Sequence, residues 1–246
     1  MNEAPEASDA TLTQTQPTIA TFPPETSESA LATLYRQRSQ TVRLGMIESV
    51  DGKCAGADGS SRSLNGPEDL RLLRTLRSQA DVVVVGAQTA RRERYDTIKL
   101  PDAMSAHRRG AGLSAQVQLA IVTRSGNLPH GLDPATTWII TTAGSPATHR
   151  LGPQWQSRLI LAGADQASPR TMINELAARG LSRVLCEGGP SLAQELLKRS
   201  LVTDYCLTTS PKPGGASAAP TPPVPAGFAL THELVGGGFT IRRWLR

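Results

Sequence analysis

Residues 81–87 read DVVVVGA. Four consecutive valines leave no polar side for a strand to show to water. A strand exposed on one face alternates apolar and polar residues. An unbroken β-branched run belongs to a strand covered on both faces, as in parallel sheets flanked by helices. Gly86 closes the run, and QTARRERY (88–95) continues as a short helical or loop stretch.

The same texture recurs on either side. VRLGMI (42–47), VQLAIVTRSG (117–126), TTWIITTAG (136–144), SRLILAG (157–163), SRVLCEGG (182–189) and VTDYCLTTSP (202–211) each read as a strand with a polar or glycine end. Helix-like segments separate several of them. In GPEDLRLLRTLRSQ (66–79), Asn65 or Gly66 can cap, Pro67 suits the first helical position, and Glu68 and Asp69 fall where the helix dipole favours acids. Leu70, Leu73 and Leu76, with Leu72 beside them, predict its apolar face. SPRTMINELAARG (168–180) starts on Ser-Pro and stops on Gly, and PSLAQELLKRS (190–200) follows a glycine pair. The end differs: FALTHEL and FTIRRWLR, joined by VGGG, predict an antiparallel hairpin after a Pro/Ala-rich loop at 212–226. Alternating strands and helices predict an α/β fold around a mostly parallel sheet, with the hairpin extending one edge. Residues 1–28, poor in large apolar side chains, are expected to form a disordered tail, with a single domain over 29–246 and a short helix near 29–37. Residues 99–116 are expected to be irregular and exposed.

Composition narrows the function. The chain is 39% hydrophobic with net charge +5. Its basic residues are scattered and its aromatics sparse, which speaks against a nucleic-acid surface and suits small phosphorylated ligands. No run approaches the ~18 apolar residues of a membrane span, and the acidic, polar N-terminus lacks an apolar signal core. A cytoplasmic protein is expected. Three cysteines without a C-x-x-C pair, and four histidines isolated in sequence, give no metal or disulfide pattern.

Ligands of open α/β sheets bind beyond the carboxyl ends of the strands. Four polar segments fall there: Ser49–Gly52, Gly86–Thr89, Thr123–Gly126 and Glu187–Ser191. Gly188 and Gly189 allow a ligand against the backbone, Pro190 opens a helix, and the next N–H groups make an anion site that a pyrophosphate would fit. A plain strand-to-helix turn needs the same glycines. Thr123, Arg124 and Ser125 suit a phosphate monoester, or a solvated turn. Arg71, Arg74 and Arg77, three apart on one helix, read as a solvated face. Asp51 and Glu187 are carboxylates at two strand ends, able to contact a heterocycle or move a proton, or to serve as turn residues. No G-x-G-x-x-G, Walker loop or catalytic triad is present.

The blocks ESVDG, GSSRSLNGPEDLRLLRTLRSQADVVVVGAQTARRERY, LAIVTRSG and RVLCEGGPSLAQELLKRSLVTDYCLTTSP, in this order over about 42–246, resemble the reductase domain of riboflavin-biosynthesis RibD proteins. They are most similar to stand-alone pyrimidine reductase relatives. The resemblance implies a dihydrofolate-reductase-like three-layer sandwich and NADPH as hydride donor. It also implies reduction of 5-amino-6-(5-phosphoribosylamino)uracil to its ribitylamino form, hydride adding at C1′ of the open-chain imine. A dihydropterin-type reductase or a non-catalytic NADP-binding module on the same fold are the alternatives.

By the same resemblance, Gly188, Gly189, Pro190, Ser191 and Leu192 hold the cofactor pyrophosphate, and Thr89 and Glu93 contact the cofactor. Thr123, Arg124 and Ser125 lie near its 2′-phosphate. Ser61, Arg77, Lys99 and Glu187 serve substrate, Arg77 at the ribose phosphate. Asp51 and Glu187 are the candidate catalytic groups. No metal is implied, relatives are often homodimers, and the RibD deaminase half is missing. Gly45 and Ser63 depart from the Asn and Trp of many relatives.

Overall fold

The computed structural model describes residues 18–21 and 27–246. Among them ten strands form one sheet: β1 (Thr18–Thr21), β2 (Thr41–Glu48), β3 (Val82–Gly86), β4 (Gln118–Val122), β5 (Thr137–Thr141), β6 (Leu159–Leu161), β7 (Arg183–Cys186), β8 (Asp204–Thr209), β9 (Ala229–Gly236) and β10 (Phe239–Leu245). Their order is β1-β9-β10-β8-β2-β7-β3-β4-β5-β6. Only β10 runs against its neighbours, pairing antiparallel with β9 and β8, while every other pairing is parallel. The expected parallel sheet and C-terminal hairpin are both present.

The valine run does what its pattern requires. Val83 and Val85 enter one core with Leu119, Ile121, Ile139 and Leu185. Val82 and Val84 enter the other with Val42, Ala120, Ile140 and Val184. All four valines are fully buried. The first core is covered by α1 (Glu28–Leu34), α2 (Pro67–Gln79) and α3 (Ala87–Arg92). The second is covered by α6 (Pro169–Ala177) and α7 (Pro190–Lys198), the short α5 (Ala147–Arg150) lying between β5 and β6 in the chain. Helix, sheet and helix make three layers.

Three expectations are corrected. Residues 18–21, assigned to a disordered tail, form β1 parallel to β9, with Thr18 opposite His232 and Thr21 opposite Val235; the rest of that tail up to residue 26 lies outside the described residues. The segment 99–116 contains a helix, α4 (Asp102–Gly110), with Asp102 in its first turn and His107, Arg108 and Arg109 in its last, the arrangement its dipole favours. Arg108 is buried and donates from Nη1 to the carbonyls of Ser78 and Ala80 at 2.8 and 2.7 Å, capping the end of α2. The apolar face of α2 is also displaced: Leu70 is exposed, and the buried side is Asp69, Leu72, Thr75, Leu76 and Gln79. A period of 3.6, not three, sets that face.

The sheet has a switch point at its centre. β7 and β3 are neighbours, yet β3 leads to α3 over one core and β7 leads to α7 over the other. Their carboxyl-end loops therefore diverge and leave a crevice between them.

Candidate active site

A cleft of about 1220 Å³ opens at that crevice. Its floor is β2 and the ends of β3 and β7. One wall is α2, and the other is α3 with the loops at 54–65 and 215–219. The ends of the two central strands are locked: Gly86 N–H donates to Gly188 O at 2.9 Å, and Glu187 N–H to Val84 O at 3.0 Å.

The turn after β7 requires its glycines. Gly188 has φ +87°, with Met46 Sδ 3.3 Å from where a Cβ would stand, and a Cβ on Gly189 would fall 2.6 Å from Thr89 Oγ1. The Gly188–Gly189 peptide is cis. Gly189 is the N-cap of α7 and Pro190 its first residue, so the N–H groups of Ser191 and Leu192 have no intrahelical acceptor. Gly189 through Leu192 line the cleft, and Thr89 faces them from α3. Buried Gly188 lies behind, accepting the β3 bond.

Thr123, Arg124 and Ser125 line the cleft after β4. Thr123 Oγ1 accepts from Gly126 N–H at 3.1 Å, which fixes the turn. Arg124 is exposed and has no ion-pair partner among the described residues. Glu93 lines the cleft but uses both oxygens on the opposite loop: Oε1 accepts from Ser61 N–H at 2.9 Å and Oε2 from Ser60 Oγ at 2.8 Å. Ser61 is thereby held at the cleft wall.

Glu187 and Arg77 meet directly. Arg77 donates from Nε to Oε1 at 2.7 Å and from Nη2 to Oε2 at 2.6 Å, a bidentate fork. Tyr95 donates its hydroxyl to Oε2 at 2.5 Å, and the Arg77 guanidinium lies 5.6 Å from the Tyr95 ring centroid. Burial alone would lower the Arg77 pKa, but the Glu187 carboxylate and Tyr95 hold it raised. Burial, then Glu187, pushes the Tyr95 phenol well above its ordinary value.

Two predicted site residues lie elsewhere. Asp51 sits in an exposed turn outside the cleft, accepting from Ser49 Oγ and Gly214 N–H, each at 2.8 Å. Those bonds, Ser49 first, lower its pKa, and Gly52 turns the chain at φ +75°. Its part is to tie the turn to the 214 loop. Lys99 also lies outside the lining, exposed and paired with Asp96 at 3.6 Å. The three-apart arginines of α2 diverge, because three residues fall 60° short of a turn: Arg71 pairs with Glu28 at 2.8 Å, Arg74 is exposed, and Arg77 enters the cleft.

Sequence reasoning missed Tyr95, Asp69 and Thr208, all of which line the cleft. Asp69, Leu72, Leu73, Leu76 and Arg77 follow the i, i+3, i+4, i+7, i+8 stripe of one helix face. That spacing, with polar residues at both ends of a leucine band, was the available signal. Arg62, Arg92 and Arg94 also line the cleft. Among the described residues the Arg62 and Arg92 side chains donate to the carbonyls of Glu93 and Gly59 and have no ion-pair partner. The Pro/Ala-rich loop closes the rim with small side chains, through Gly215 N–H to Ala55 O and Cys54 N–H to Ala219 O, both at 3.0 Å.

Among the described residues no helix is long and apolar enough to cross a membrane. No group of three His, Cys, Asp or Glu among them could hold a metal ion.

Comparison with known proteins follows the same lines. A 2,5-diamino-6-ribosylamino-4(3H)-pyrimidinone 5′-phosphate reductase from Methanothermobacter thermautotrophicus is 26% identical over 184 residues, covering 73% of this chain and 82% of that protein. The riboflavin biosynthesis protein RibD of Synechocystis is 29% identical over 193 residues, covering 75% of this chain but 49% of the longer relative. Among solved structures, a pyrimidine reductase-like protein from Corynebacterium diphtheriae superposes with a TM-score of 0.72 at 24% identity, covering 87% of this chain and 94% of that one. Acinetobacter baumannii RibD gives 0.64 at 18% identity, covering 84% of this chain and 58% of that one. The model of the RibD C-terminal domain matches residues 40–236, which is most of the sequence, and the chain belongs to that family.

Proposed function

We propose that the protein is an NADPH-dependent reductase of riboflavin biosynthesis. It converts the ribosyl side chain of 5-amino-6-(5-phosphoribosylamino)uracil to the ribitylamino form. The observation that carries this reading is the juxtaposition of two unlike walls at one switch point. A glycine turn with free helix N–H groups faces α3, and an Arg77–Glu187–Tyr95 cluster closes the other side.

The cofactor fits the first wall. The Gly188–Gly189 turn keeps side chains away where Thr89 approaches, and the N–H groups of Ser191 and Leu192 are oriented for a pyrophosphate. The unpaired Arg124 beside Thr123 and Ser125 offers a fork to a 2′-phosphate. Bound there, NADPH supplies hydride. Glu93 acts through the loop it holds, setting Ser60 and Ser61 against the ligand space.

The second wall suits a polar heterocycle. Glu187 presents a carboxylate fixed by Arg77 and Tyr95, so a ring N–H meets an acceptor that need not reorganise. Arg77 acts as the clamp on that carboxylate more than as a free cation. The phosphate of the substrate is served by the Arg62, Arg92 and Arg94 side of the cleft, since Lys99 contributes no charge there. Positioning of the imine carbon is the main work of such a site. Assembly as a homodimer belongs to the same reading, on family resemblance.

NADPH oxidation with the phosphoribosylaminouracil, offered beside dihydrofolate, tests the reading. Turnover of the uracil compound alone is expected. Turnover of dihydrofolate alone would keep the cofactor and overturn the substrate. NADPH binding without turnover of either would leave only a nucleotide-binding module.

A further inference from the structure

Four carboxyl groups line the cleft: Asp69, Glu93, Asp96 and Glu187. Three are committed. Glu93 holds Ser60 and Ser61, and Glu187 holds Arg77 and Tyr95. Asp96 is exposed at the rim, accepting from Thr97 N–H and facing Lys99. Asp69 differs from all of them. It is the third residue of α2 and only 7% exposed, and no cation pairs with it among the described residues. Its neighbours are neutral donors. The Thr208 hydroxyl on β8 lies beside it and favours its charged form, and the Asn65 amide, turned to satisfy its surroundings, donates to Oδ2 at 3.3 Å and to Ser61 O at 3.1 Å. Arg77, two turns along the same helix, is already forked onto Glu187.

Reduction of an imine needs a proton as well as a hydride. Resting on the reductase reading above, we infer that Asp69 is the general acid of the cleft. Its O–H bond breaks, the hydrogen bonds to the nitrogen of the C1′=N imine as hydride reaches C1′, and the carboxylate left on Asp69 is reprotonated from solvent.

The electrostatics support this role. Burial raises the Asp69 pKa to about 6, with the Thr208 hydroxyl lowering it, Glu187 raising it and Arg77 lowering it in turn. Those two, from the turn after β7 and from α2, are the charged groups acting on it. A carboxyl in that range carries its proton far closer to neutrality than an ordinary aspartate does. Substrate entry would expel water and raise it further.

The test is the pH dependence of single-turnover reduction with saturating NADPH, alongside NADPH binding measured by fluorescence. The wild-type rate should be level in acid and fall as pH rises through the Asp69 value. Asp69→Asn keeps the shape but has no acidic proton. It should lower the rate by about 100-fold or more and abolish the alkaline fall, with NADPH binding intact. Thr208→Val removes the hydroxyl that lowers the pKa, so it should move the fall to higher pH. Should Asp69→Asn not fold, that shift alone decides. A fall that persists in Asp69→Asn, or that stays put in Thr208→Val, overturns the assignment while the enzyme still reduces the uracil compound. A wild-type protein inert toward that compound overturns the reductase reading, and the acid with it.

Discussion

Two buried clusters of arginine and carboxylate sit at opposite ends of the sheet. At the amino ends of β2 and β8, Asp204 takes two guanidinia: Arg43 Nε at 2.7 Å, and Arg243 through Nη2 at 2.9 Å and Nε at 3.1 Å. At the carboxyl ends, Glu187 takes one guanidinium and a phenol. The acids are equally buried, each with a side chain 5% exposed. The arginines differ: Arg43 is fully buried, whereas Arg77 is 19% exposed and lines the cleft. Arg243 also donates to the carbonyl of Leu34 at 2.6 Å, which ties down the end of α1. The first cluster carries surplus positive charge and spends it on backbone carbonyls, closing the protein on itself. The second is balanced and faces a cavity. The difference separates a device that holds the fold from one that holds a ligand.

The largest effect should come from breaking the closed cluster. Asp204→Ala leaves two guanidinia buried without a counter-charge, which should cost about 3–5 kcal/mol of stability in urea unfolding. Burial would raise the Asp204 pKa, but Arg43 and Arg243 hold it below the ordinary aspartate value. A depressed folded-state pKa contributes stability that is full above the unfolded value and lost as pH falls through the folded one. The wild-type stability lost in acid, below about pH 4, should therefore shrink in Asp204→Ala. A cost under about 1 kcal/mol would mean the guanidinia reach water, and the contrast between the clusters would collapse.

Glu187→Gln should invert that pattern. Arg77 keeps access to the cleft, so stability should change little. Loss of the fixed acceptor should lower kcat/KM by about tenfold to a hundredfold, the worth of one charge-assisted hydrogen bond. Because Arg77 acts through Glu187, adding Arg77→Met to Glu187→Gln should cost little more than either change alone. Additive losses would assign Arg77 a direct contact of its own. If instead stability falls as far as in Asp204→Ala, the cleft cluster is a structural one.

The sheet was legible because its signal is local and redundant. Val82 to Val85 announce two-sided burial by themselves, and six further strands repeat the message. The glycine turn at 188–189 was legible for the same reason, since φ +87° and a close Thr89 leave few other residues possible. The misses share a cause in tertiary contact. Asp51 and Asp69 flank the same polar, glycine-bearing stretch at 52–66, but one turns toward Gly214 and the other into the cleft. Arg108 looked like a surface residue of an irregular segment, and the carbonyls of Ser78, Ala80 and Ser114 that it reaches explain its burial. Lys99 and Tyr95 are four residues apart, and the chain between them decides which one enters the cleft.

The smallest expected effect sharpens the ligand side of the comparison. Arg124 is an exposed arginine without a carboxylate partner among the described residues, the opposite of Arg43 in every respect that fixed Arg43 as structural. Its removal should leave stability unaltered, because the turn is already secured by Thr123 Oγ1 accepting from Gly126 N–H. Arg124→Ala should weaken NADPH binding by about tenfold, within the range of an exposed charge-assisted contact. NADH, which lacks the 2′-phosphate, should bind as before. Titration of both cofactors by fluorescence separates the cases, and raised salt should narrow the gap by screening. Equal weakening of both would detach Arg124 from the 2′-phosphate. The anion-binding role of the cleft would then rest on the N–H groups of Ser191 and Leu192 alone, whose affinity for either dinucleotide is the same.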